Sequence, residues 1–473
     1  AERLATVLEE CCSMKETHTL DVSTNRIGNR GLTRLCSVIG RCTKLQHLNL
    51  ADNIIGVEGA GRLAEVLREC KGIVQLNLRM NRLGSDGIAS IAAVLGECKQ
   101  LSHLELSENN MGPEGAGKLA AVLGDCRALV LLDLRANAIG PEGMARLAAL
   151  LSRCVSLAKL FLSVNAIADH GAGRLADALP ECTSLAQLDL RQNAIGDVGA
   201  TRLAESLSDC QKLTLLHLEA NSVGPDGAGR LAEALRECVL LQHLSLRSNK
   251  IGDDGAGRVA RALAEHPRLQ QLDLGGCGIG EWGAGRLARA LQGCVSLKRL
   301  DLRGNQIGDE GVGGVGALLG ACRQLTHLNL ASNRARDPGA GMLAEGLRGG
   351  GKLTFLDVSG NQFDGEGAWR LVHALRRCQD LTHLNFAHNT LGPAGAGRLA
   401  AALREGCGGL LHLDVSANQI GDEGARALLA VLDALPSLSY LDVRGNHVAP
   451  EVEREFQIKI RSRGPRCHVL TDC

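Results

Sequence analysis

One stretch of the sequence decides the fold: Leu129 to Cys154 reads LVLLDLRANAIGPEGMARLAALLSRC, and Leu185 to Cys210 reads LAQLDLRQNAIGDVGATRLAESLSDC. Apolar residues alternate early in each stretch and recur every three or four residues later on. This change of period predicts a short strand followed by an amphipathic helix. Because the same wording runs from end to end of the 473 residues, we expect one continuous array of strand–helix units rather than several unrelated domains.

A single asparagine marks the period of the array. It recurs every 28 residues, and one extra residue near Gly406 shifts only the last two copies. Cys277 takes the place of one asparagine, so the sequence contains sixteen units close to LxxLxLxxNxIGxxGAxxLAxxLxxC. The asparagines are Asn25, Asn53, Asn81, Asn109, Asn137, Asn165, Asn193, Asn221, Asn249, Asn305, Asn333, Asn361, Asn389, Asn418 and Asn446.

Each column of the unit has a physical reason. Leu48 and Leu50 alternate toward the core along a short strand, and stacked strands form a parallel sheet. A buried amide at Asn53 can bond the backbone groups of its own turn and of the neighbouring turn, as a ladder. Leu63 and Leu67 lie four residues apart on one helical face, which packs on the sheet. Helices need about 8 to 10 Å between axes and strands only about 4.8 Å, so we expect curvature with the strands on the concave face.

These repeats resemble those of the ribonuclease-inhibitor-like class of leucine-rich repeat proteins. The uniform spacing of 28 residues and the wording NxIGxxGAxxLAxxL are closer to the NOD-like receptor type. The resemblance implies an α/β solenoid, a curved horseshoe with parallel strands on the concave face and helices on the convex face. It also implies a protein-binding role with no catalysis of its own, and it does not identify the partner.

The two ends of the chain depart from the repeat. Residues 1–16 contain RLATVLEEC, which copies the helix of a unit without the preceding strand, so we expect a partial repeat, helix only, and either upstream sequence or a processed precursor. Residues 17–450 form the repeat array. In residues 451–473 the repeat glycine is replaced by Val452, and we expect this polar segment to be a cap and tail that shields the last unit.

Composition and motifs argue against several functions. The 52 basic residues balance the 52 acidic ones, which disfavours nucleic-acid binding, and no apolar run is long enough for membrane insertion. The glycine pattern GAGRLA fits a loose nucleotide-binding motif, but it recurs with the repeat period and therefore reads as scaffold. We expect no cofactor, no metal site and no enzymatic activity.

Cysteine usage points to a compartment. Twelve cysteines form one column at the helix end, without the CxxC spacing of a zinc site and too far apart for disulfides. We expect buried, reduced thiols, and the sequence has no N-x-S/T sequon. These features favour an intracellular, cytoplasmic protein, with an organellar location as the alternative. The column is Cys42, Cys70, Cys98, Cys126, Cys154, Cys182, Cys210, Cys238, Cys294, Cys322, Cys378 and Cys407.

The exposed strand positions vary between units and are therefore the candidates for binding. The position between the two core leucines is mostly acidic or amide, as at Asp133 and Asp189, and Arg135 and Arg191 follow two residues later. We expect an exposed lattice of Asp and Arg, in which each pair contributes only about 0 to 1 kcal/mol.

Three aromatic residues interrupt this polar surface. They are Phe161, in a column that is otherwise largely acidic, together with Phe355 and Tyr440. Rigid aromatic side chains contribute most to interface energy, so we predict a concave protein-binding site centred on them. Arg135 and Arg191 would flank Phe161, along with Asp133 and Asp189. Histidines also recur on the strands, and a solvated or stacked column is favoured over metal or acid–base chemistry.

Three functions remain open at this stage. The leading hypothesis is a non-enzymatic scaffold that holds another protein, of unknown identity, on its concave face. The first alternative is the ligand-sensing region of a NOD-like receptor. The second is a structural subunit of a large assembly, in an organelle for instance, in which convex or edge surfaces matter more.

Overall fold

The computed structural model describes residues 16–124, 126–349, 351–463 and 468–472. The partial repeat predicted within residues 1–16 lies almost wholly outside these ranges. The chain divides into two compact units, the first ending at Leu241 and the second beginning at Gln242.

Among its described residues the first unit alternates eight strands with eight α-helices, and a short 3₁₀-helix spans Leu179–Glu181. Each strand is three residues long, because the chain turns at the asparagine soon after the second core leucine. The elements are β1 (Thr19–Asp21), α1 (Gly28–Ile39), β2 (His47–Asn49), α2 (Val57–Leu67), β3 (Gln75–Asn77), α3 (Gly84–Leu95), β4 (His103–Glu105), α4 (Gly112–Leu123), β5 (Leu131–Asp133), α5 (Gly140–Leu151), β6 (Lys159–Phe161), α6 (Ala168–Ala178), β7 (Gln187–Asp189), α7 (Asp197–Leu207), β8 (Leu215–His217) and α8 (Pro225–Leu235).

The second unit follows the same plan and ends on a strand. Its described elements are β9 (His243–Ser245), α9 (Gly252–Leu263), β10 (Gln271–Asp273), α10 (Glu281–Leu291), β11 (Arg299–Asp301), α11 (Gly308–Ala321), β12 (His327–Asn329), α12 (Asp337–Leu347), β13 (Phe355–Asp357), α13 (Gly365–Leu375), β14 (His383–Asn385), α14 (Gly392–Gly406), β15 (His412–Asp414), α15 (Gly421–Ala434), β16 (Tyr440–Asp442), α16 (Pro450–Arg463) and β17 (His468–Leu470).

Within each unit, every strand pairs in parallel with the next strand along the chain. The register follows the repeat, so that Leu132 is paired with Leu160 and Leu160 with Leu188. Between β14 and β15 the pairing of Leu384 with Leu413 absorbs the one extra residue. The predicted α/β repeat architecture is confirmed. The described part of residues 451–473 adds one more helix and the strand β17, which pairs with β16.

The asparagine ladder is confirmed in detail. Asn165 is buried, and its Nδ2 donates to the carbonyl oxygens of Leu134, Leu162 and Ser163 at 2.9, 2.9 and 3.3 Å. Its Oδ1 accepts the backbone N–H groups of Asn137 and Ile139 at 2.9 and 3.4 Å. An asparagine of this kind therefore satisfies the turn of its own repeat and that of the repeat before it. At Asn333 only the Nδ2 half of the pattern is made, since its buried Oδ1 accepts no hydrogen bond from the described residues.

Cys277 can perform only part of this role. Its thiol donates to the carbonyl oxygens of Leu246 and Gly275 at 3.2 and 3.6 Å, and its own N–H bonds to Asn305 Oδ1 at 2.9 Å. Sulfur is a weak hydrogen-bonding atom compared with an amide, so this step of the ladder is weaker than its neighbours.

The glycine column at the helix starts has a steric cause. Asp197 lies in the first turn of α7, and its Oδ1 accepts the backbone N–H groups of Gly224 and Gly227 at 2.7 and 2.8 Å, at the start of α8. A Cβ added at Gly227 would lie 2.6 Å from that same oxygen. A side chain there would displace the carboxylate that caps the next helix.

The cysteine column is buried, as predicted, and each described cysteine is a free thiol. Cys182 shows the usual contacts, since its Sγ lies 3.5 Å from the carbonyl oxygen of Leu151 and 3.6 Å from that of Ala178. Burial raises the pKa of the Cys182 and Cys210 thiols to about 12. The thiols therefore stay protonated at neutral pH and act as small core residues.

Candidate protein-binding face

The surface of each sheet opposite its helices is here called the strand face. The middle residue of every strand is buried, while the first and third residues are mostly half-buried or exposed. The strand face therefore has three columns. The first column is the first residue of each strand, the second column is the third residue, and the third column is the residue two positions beyond that third residue. All the aromatic, arginine and aspartate residues predicted for the binding site lie in these columns.

In the first unit, Arg135 brings three of the predicted site residues together. Its Nε and Nη2 donate to Asp133 Oδ1 and Oδ2 at 2.9 and 2.6 Å, and its backbone N–H also bonds to Oδ1 at 3.1 Å. The same guanidinium lies 5.5 Å from the ring centre of Phe161 on the neighbouring strand β6. The half-buried Phe161 ring is thus partly covered by the chain itself.

The second predicted pair has the same geometry. Arg191 donates through Nε and Nη2 to both oxygens of Asp189, at 2.9 and 2.6 Å. Burial acts to raise the pKa of Asp189, but the hydrogen bonds from Arg191 outweigh it, so the pKa lies below its ordinary value. The carboxylate is therefore ionised at neutral pH and held by one partner.

The prediction that Asp133 and Asp189 are exposed is wrong. They are only 1% and 2% exposed, because each lies beneath the arginine two residues later on its own strand. Each arginine covers its own aspartate, so these are separate bidentate pairs and not an open lattice. The two carboxylates position Arg135 and Arg191 and are too buried to contact a partner directly.

In the second unit the first column carries a continuous row of neighbouring rings, here called the aromatic stripe. It consists of one half-buried ring on each of five successive strands, β12 to β16. Successive ring centres are 5.7, 6.2, 5.5 and 4.0 Å apart; the second pair is tilted by 35°, the other three are stacked, and the rings of the last pair are nearly parallel, at 4°. The rings, in strand order, are His327, Phe355, His383, His412 and Tyr440.

Threonines orient two of the histidines. Thr326 Oγ1 donates to the carbonyl oxygen of Lys298 at 3.1 Å and lies 2.8 Å from His327 Nδ1. Thr382 Oγ1 makes the same two contacts, at 3.0 Å to Thr354 O and 2.9 Å to His383 Nδ1. Because each hydroxyl has already used its proton, we assign the hydrogen to Nδ1, which leaves Nε2 directed away from the threonine.

The stripe includes histidines that are neutral at physiological pH. Burial, and after it the charges of Arg299 and His383, lower the pKa of His327. Burial also lowers the pKa of His412, and His383 adds to the effect against the opposing carboxylates of Asp414 and Asp442. These rings therefore act as aromatic surface and not as a row of cations.

In the second column, beside the stripe, two aspartates are hydrogen-bonded by serines and not by arginines. Ser359 bonds to Asp357 Oδ1 through its N–H at 2.9 Å and its hydroxyl at 2.6 Å. Ser416 bonds to Asp414 Oδ1 in the same way, at 2.9 and 2.7 Å. Asp357 Oδ2 accepts one weak bond of 3.3 Å from Asn385, and no described residue donates to Oδ2 of Asp414.

Ion pairs between aspartate and arginine lie at both edges of this region. On β11, Arg303 lies 3.3 Å from Asp301, and on β16, Arg444 pairs with Asp442 at 2.6 Å. The Tyr440 hydroxyl donates to Asp442 Oδ2 at 3.3 Å, which shows that a ring in the first column and a carboxylate in the second are within direct reach of each other.

The helix side of the second unit carries the chain's two tryptophans. Trp282 on α10 is 61% exposed, with the guanidinium of Arg286 4.3 Å from its ring centre, and it borders a groove of about 580 Å³. Trp369 on α13 is 40% exposed, stacks on His373 at 5.4 Å, and borders a second groove of about 520 Å³. Sequence reasoning missed the exposure of Trp282, since the repeat pattern does not mark it.

Two structural features are absent from the described residues. No group of three or more His, Cys, Asp or Glu side chains within them is arranged to hold a metal ion. No helix among them is long and apolar enough to cross a membrane.

Comparison with known proteins agrees with this architecture. The Leucine Rich repeat model matches residues 18–36, 41–64, 97–120, 125–148, 181–204, 237–260, 293–315, 321–344, 352–369, 377–400 and 410–429, just over half of the chain. No curated protein sequence matches the chain.

Solved structures are similar to the chain at low sequence identity. A leucine-rich repeat protein of Leptospira interrogans is 20% identical, with a TM-score of 0.58 over 99% of this chain and 98% of that one. An internalin of Listeria monocytogenes is 17% identical, with a TM-score of 0.37 over 100% of this chain and 94% of that one. On its repeats, its strand–helix architecture and its match to the family model, the chain belongs to the leucine-rich repeat family.

Proposed function

We propose that the chain is a non-enzymatic protein-binding scaffold and that its partner binds the strand face. The observation that carries this proposal is the aromatic stripe, a row of five adjacent, half-buried rings on successive strands of the second unit. A contiguous row of rings is costly to leave in water, and aromatic side chains dominate the energy of protein interfaces. The rings do not serve the core, which the buried middle residues fill.

Within this proposal, Phe355 and Tyr440 are the principal contact residues. Phe161 is a second contact, with Arg135 and Arg191 as orienting groups beside it. Asp133 and Asp189 would contribute indirectly, because their carboxylates hold the two arginines in place. The face that carries all these residues is the one that the sequence predicts to be concave.

We further propose that the repeats are of the ribonuclease-inhibitor-like class, closest to the NOD-like receptor type. The register of 28 residues between successive strands supports this, because every strand pair from β1 to β8 and from β9 to β14 follows it. A ligand-sensing region of a NOD-like receptor would use the same face. We also propose that the chain divides into residues 1–16, 17–450 and 451–473. We propose an intracellular, cytoplasmic location, and the buried free thiols support it.

A second candidate function is that of a structural subunit in a larger assembly. The exposed Trp282 and Trp369 favour it, since both border grooves on the helix side of the second unit. An assembly contact through these helices would leave the strand face free.

The test compares how much partner each variant recovers. The tagged full chain and the variants Phe355→Ala, Tyr440→Ala and Trp282→Ala are used to recover partners from the producing cells, and each melting temperature is measured. We expect the two strand-face variants to lose about tenfold in partner recovery, as about 1.4 kcal/mol per residue implies. Trp282→Ala is the matched aromatic control and should recover partner like the unaltered chain.

One outcome would move the interface to the other side. If Phe355→Ala and Tyr440→Ala bind as before and Trp282→Ala loses its partner, the strand-face proposal is wrong and the assembly role takes its place. Unchanged melting temperatures are expected in all cases, because the three side chains are at least partly exposed.

A further inference from the structure

The strand face of the second unit leaves two carboxylates without a strong cationic partner. Asp357 and Asp414 lie in the second column of β13 and β15, beside the rings of Phe355 and His412. In each case one oxygen accepts both bonds from a serine, at Ser359 or Ser416, and Oδ2 accepts one weak bond or none from the described residues. Both aspartates remain half-buried and reachable from solvent.

On other strands the chain places its own arginine at this position, whereas on β1 Ser23 holds Asp21 in the same way as Ser359 holds Asp357. Arg135, Arg191 and Arg444 each lie two residues after an aspartate of the second column and bind it at 2.6 Å. In all three cases the aspartate is almost completely buried as a result. Ser359 and Ser416 occupy the corresponding places on β13 and β15, so the guanidinium is the group that these two strands lack.

We infer that Asp357 and Asp414 accept arginine side chains from an extended segment of the partner, which lies along the aromatic stripe. This inference rests on the proposed binding function of the strand face and names the chemistry of its partner. The partner would therefore present at least one exposed arginine in a flexible or extended segment.

The first unit shows the geometry that such an arginine would adopt. Arg135 binds both oxygens of its aspartate while its guanidinium lies 5.5 Å from the Phe161 ring centre. Beside the stripe the nearby rings lie in the first column and not, like Phe161, in the second, and the Tyr440 hydroxyl reaches Asp442 Oδ2 at 3.3 Å, so a first-column ring lies close to a second-column carboxylate. A guanidinium bound to Asp414 or Asp357 would thus also touch a ring, and arginine stacks on rings better than lysine does.

The space above the two carboxylates and the distance between them define the kind of segment that could bind there. From β12 to β15 the third column contains only small residues, Ala331, Ser359, Ala387 and Ser416, which leaves room above the carboxylates. Asp357 and Asp414 are two strands apart, about 10 Å. A segment with two arginines two or three residues apart could reach both, because extended chain advances about 3.3 Å per residue.

The test uses a defined probe and charge-matched variants. A fluorescently labelled hexa-arginine peptide is titrated with the full chain at low salt, and binding is followed by fluorescence anisotropy, with hexa-lysine as the second peptide. Asp414→Asn and Asp357→Asn should each weaken hexa-arginine binding about fivefold to tenfold, as loss of a charge-assisted bidentate contact implies. Asp380→Asn, which removes an exposed carboxylate in the loop before β14, should leave the affinity unchanged.

A substitution that fills the site provides the sharper arm. Ser416→Arg should pair with Asp414 as Arg444 pairs with Asp442, and should reduce hexa-arginine binding about as much as Asp414→Asn does. Gln379→Arg adds the same charge at an exposed loop position and is the control. The melting temperature of Ser416→Arg should be unchanged or higher, because the new pair is made on the surface.

Four results would overturn the inference: equal binding of hexa-lysine and hexa-arginine, no effect of Asp414→Asn, equal effects of Asp380→Asn and Asp414→Asn, or equal effects of Gln379→Arg and Ser416→Arg. If hexa-arginine fails in these ways while Phe355→Ala still loses the natural partner, the scaffold proposal stands and only the arginine chemistry is wrong. If Phe355→Ala keeps its partner, the scaffold proposal itself fails.

Discussion

The strand faces of the two units use the same register but differ in how the carboxylates beside the predicted aromatic contacts are held. In the first unit, Asp133 and Asp189 lie beneath Arg135 and Arg191, and Arg135 also lies over Phe161. In the second unit, Asp357 and Asp414 are held by serines, and rings line the column beside them. A surface whose charged side chains are already paired gains little free energy from binding a partner. A surface with unpaired carboxylate oxygens and exposed rings can gain much more.

The core differs between the units as well, and alkaline pH should reveal it. The thiol column is uninterrupted from Cys42 to Cys238 in the first unit, whereas in the second unit the sequence interrupts it at His266, Gly350 and Leu435. Burial raises the pKa of several thiols to about 11 or 12. These are Cys36, Cys98, Cys154, Cys182, Cys210, Cys238, Cys277, Cys322 and Cys407.

A raised pKa in the folded state stabilises the fold below the unfolded pKa, which is about 9 for these thiols. That stability is lost as pH rises toward 11 or 12, at about 1.4 kcal/mol per thiol and pH unit. We expect the first unit to lose structure at the lower pH. Both tryptophans lie in the second unit, so circular dichroism should change before tryptophan fluorescence does during an alkaline titration. Coincident transitions would show that the thiol columns do not distinguish the units.

The asparagine ladder should be equally important in both units. Asn193→Ala removes bonds to Leu162 O at 2.9 Å and to the Asn165 N–H at 3.0 Å, and Asn418→Ala removes one to Phe386 O at 2.8 Å. Each change leaves several buried backbone groups unpaired, so we expect a loss of about 3 kcal/mol in unfolding free energy. Urea unfolding measures it, with the exposed Gln192→Ala as the control. A loss below about 1 kcal/mol in either unit would contradict the ladder as a shared support.

Removing one arginine tests whether the first unit is self-satisfied. Arg191→Ala leaves Asp189 buried without its bidentate partner, so we expect a loss of about 2 kcal/mol at pH 7. Because Arg191 holds the pKa of Asp189 below its ordinary value, the stability is present above the unfolded pKa of about 3.9 and disappears as pH falls through the lower, folded value.

The matched control lies at the corresponding position of β9. Arg247 follows Ser245 and not an aspartate, so Arg247→Ala should cost less than about 0.5 kcal/mol at any pH. Equal losses for the two arginines, or a loss for Arg191→Ala that does not shrink as pH falls below the unfolded pKa, would show that the pair does not stabilise the first unit in the way proposed.

Most of the fold could be predicted from the sequence, because the repeat fixes the period of every column. The asparagine at 28-residue spacing predicted the ladder seen at Asn165, and the cysteine column was correctly placed in the core. Repetition is a strong signal, since each structural requirement appears many times and accidental matches average out.

The candidate site was less predictable, for two physical reasons. Spacing alone does not show whether an Asp and an Arg two residues apart pair on one strand or across strands, so the burial of Asp133 was missed. The aromatic stripe is hard to see as a unit in the sequence, because histidines recur on many strands whereas Phe355 and Tyr440 are isolated departures from the repeat. The shared strand position of His327, Phe355 and His383 was a signal that could have united them.

The central claim is that binding energy lies where the chain has not already satisfied its own side chains. The most direct measurement is the dissociation constant of the recovered partner for Phe355→Ala and Phe161→Ala, measured side by side. The account predicts a loss of about tenfold or more for Phe355→Ala and less than about threefold for Phe161→Ala, whose ring Arg135 already covers. Equal losses, or a larger loss for Phe161→Ala, would contradict it.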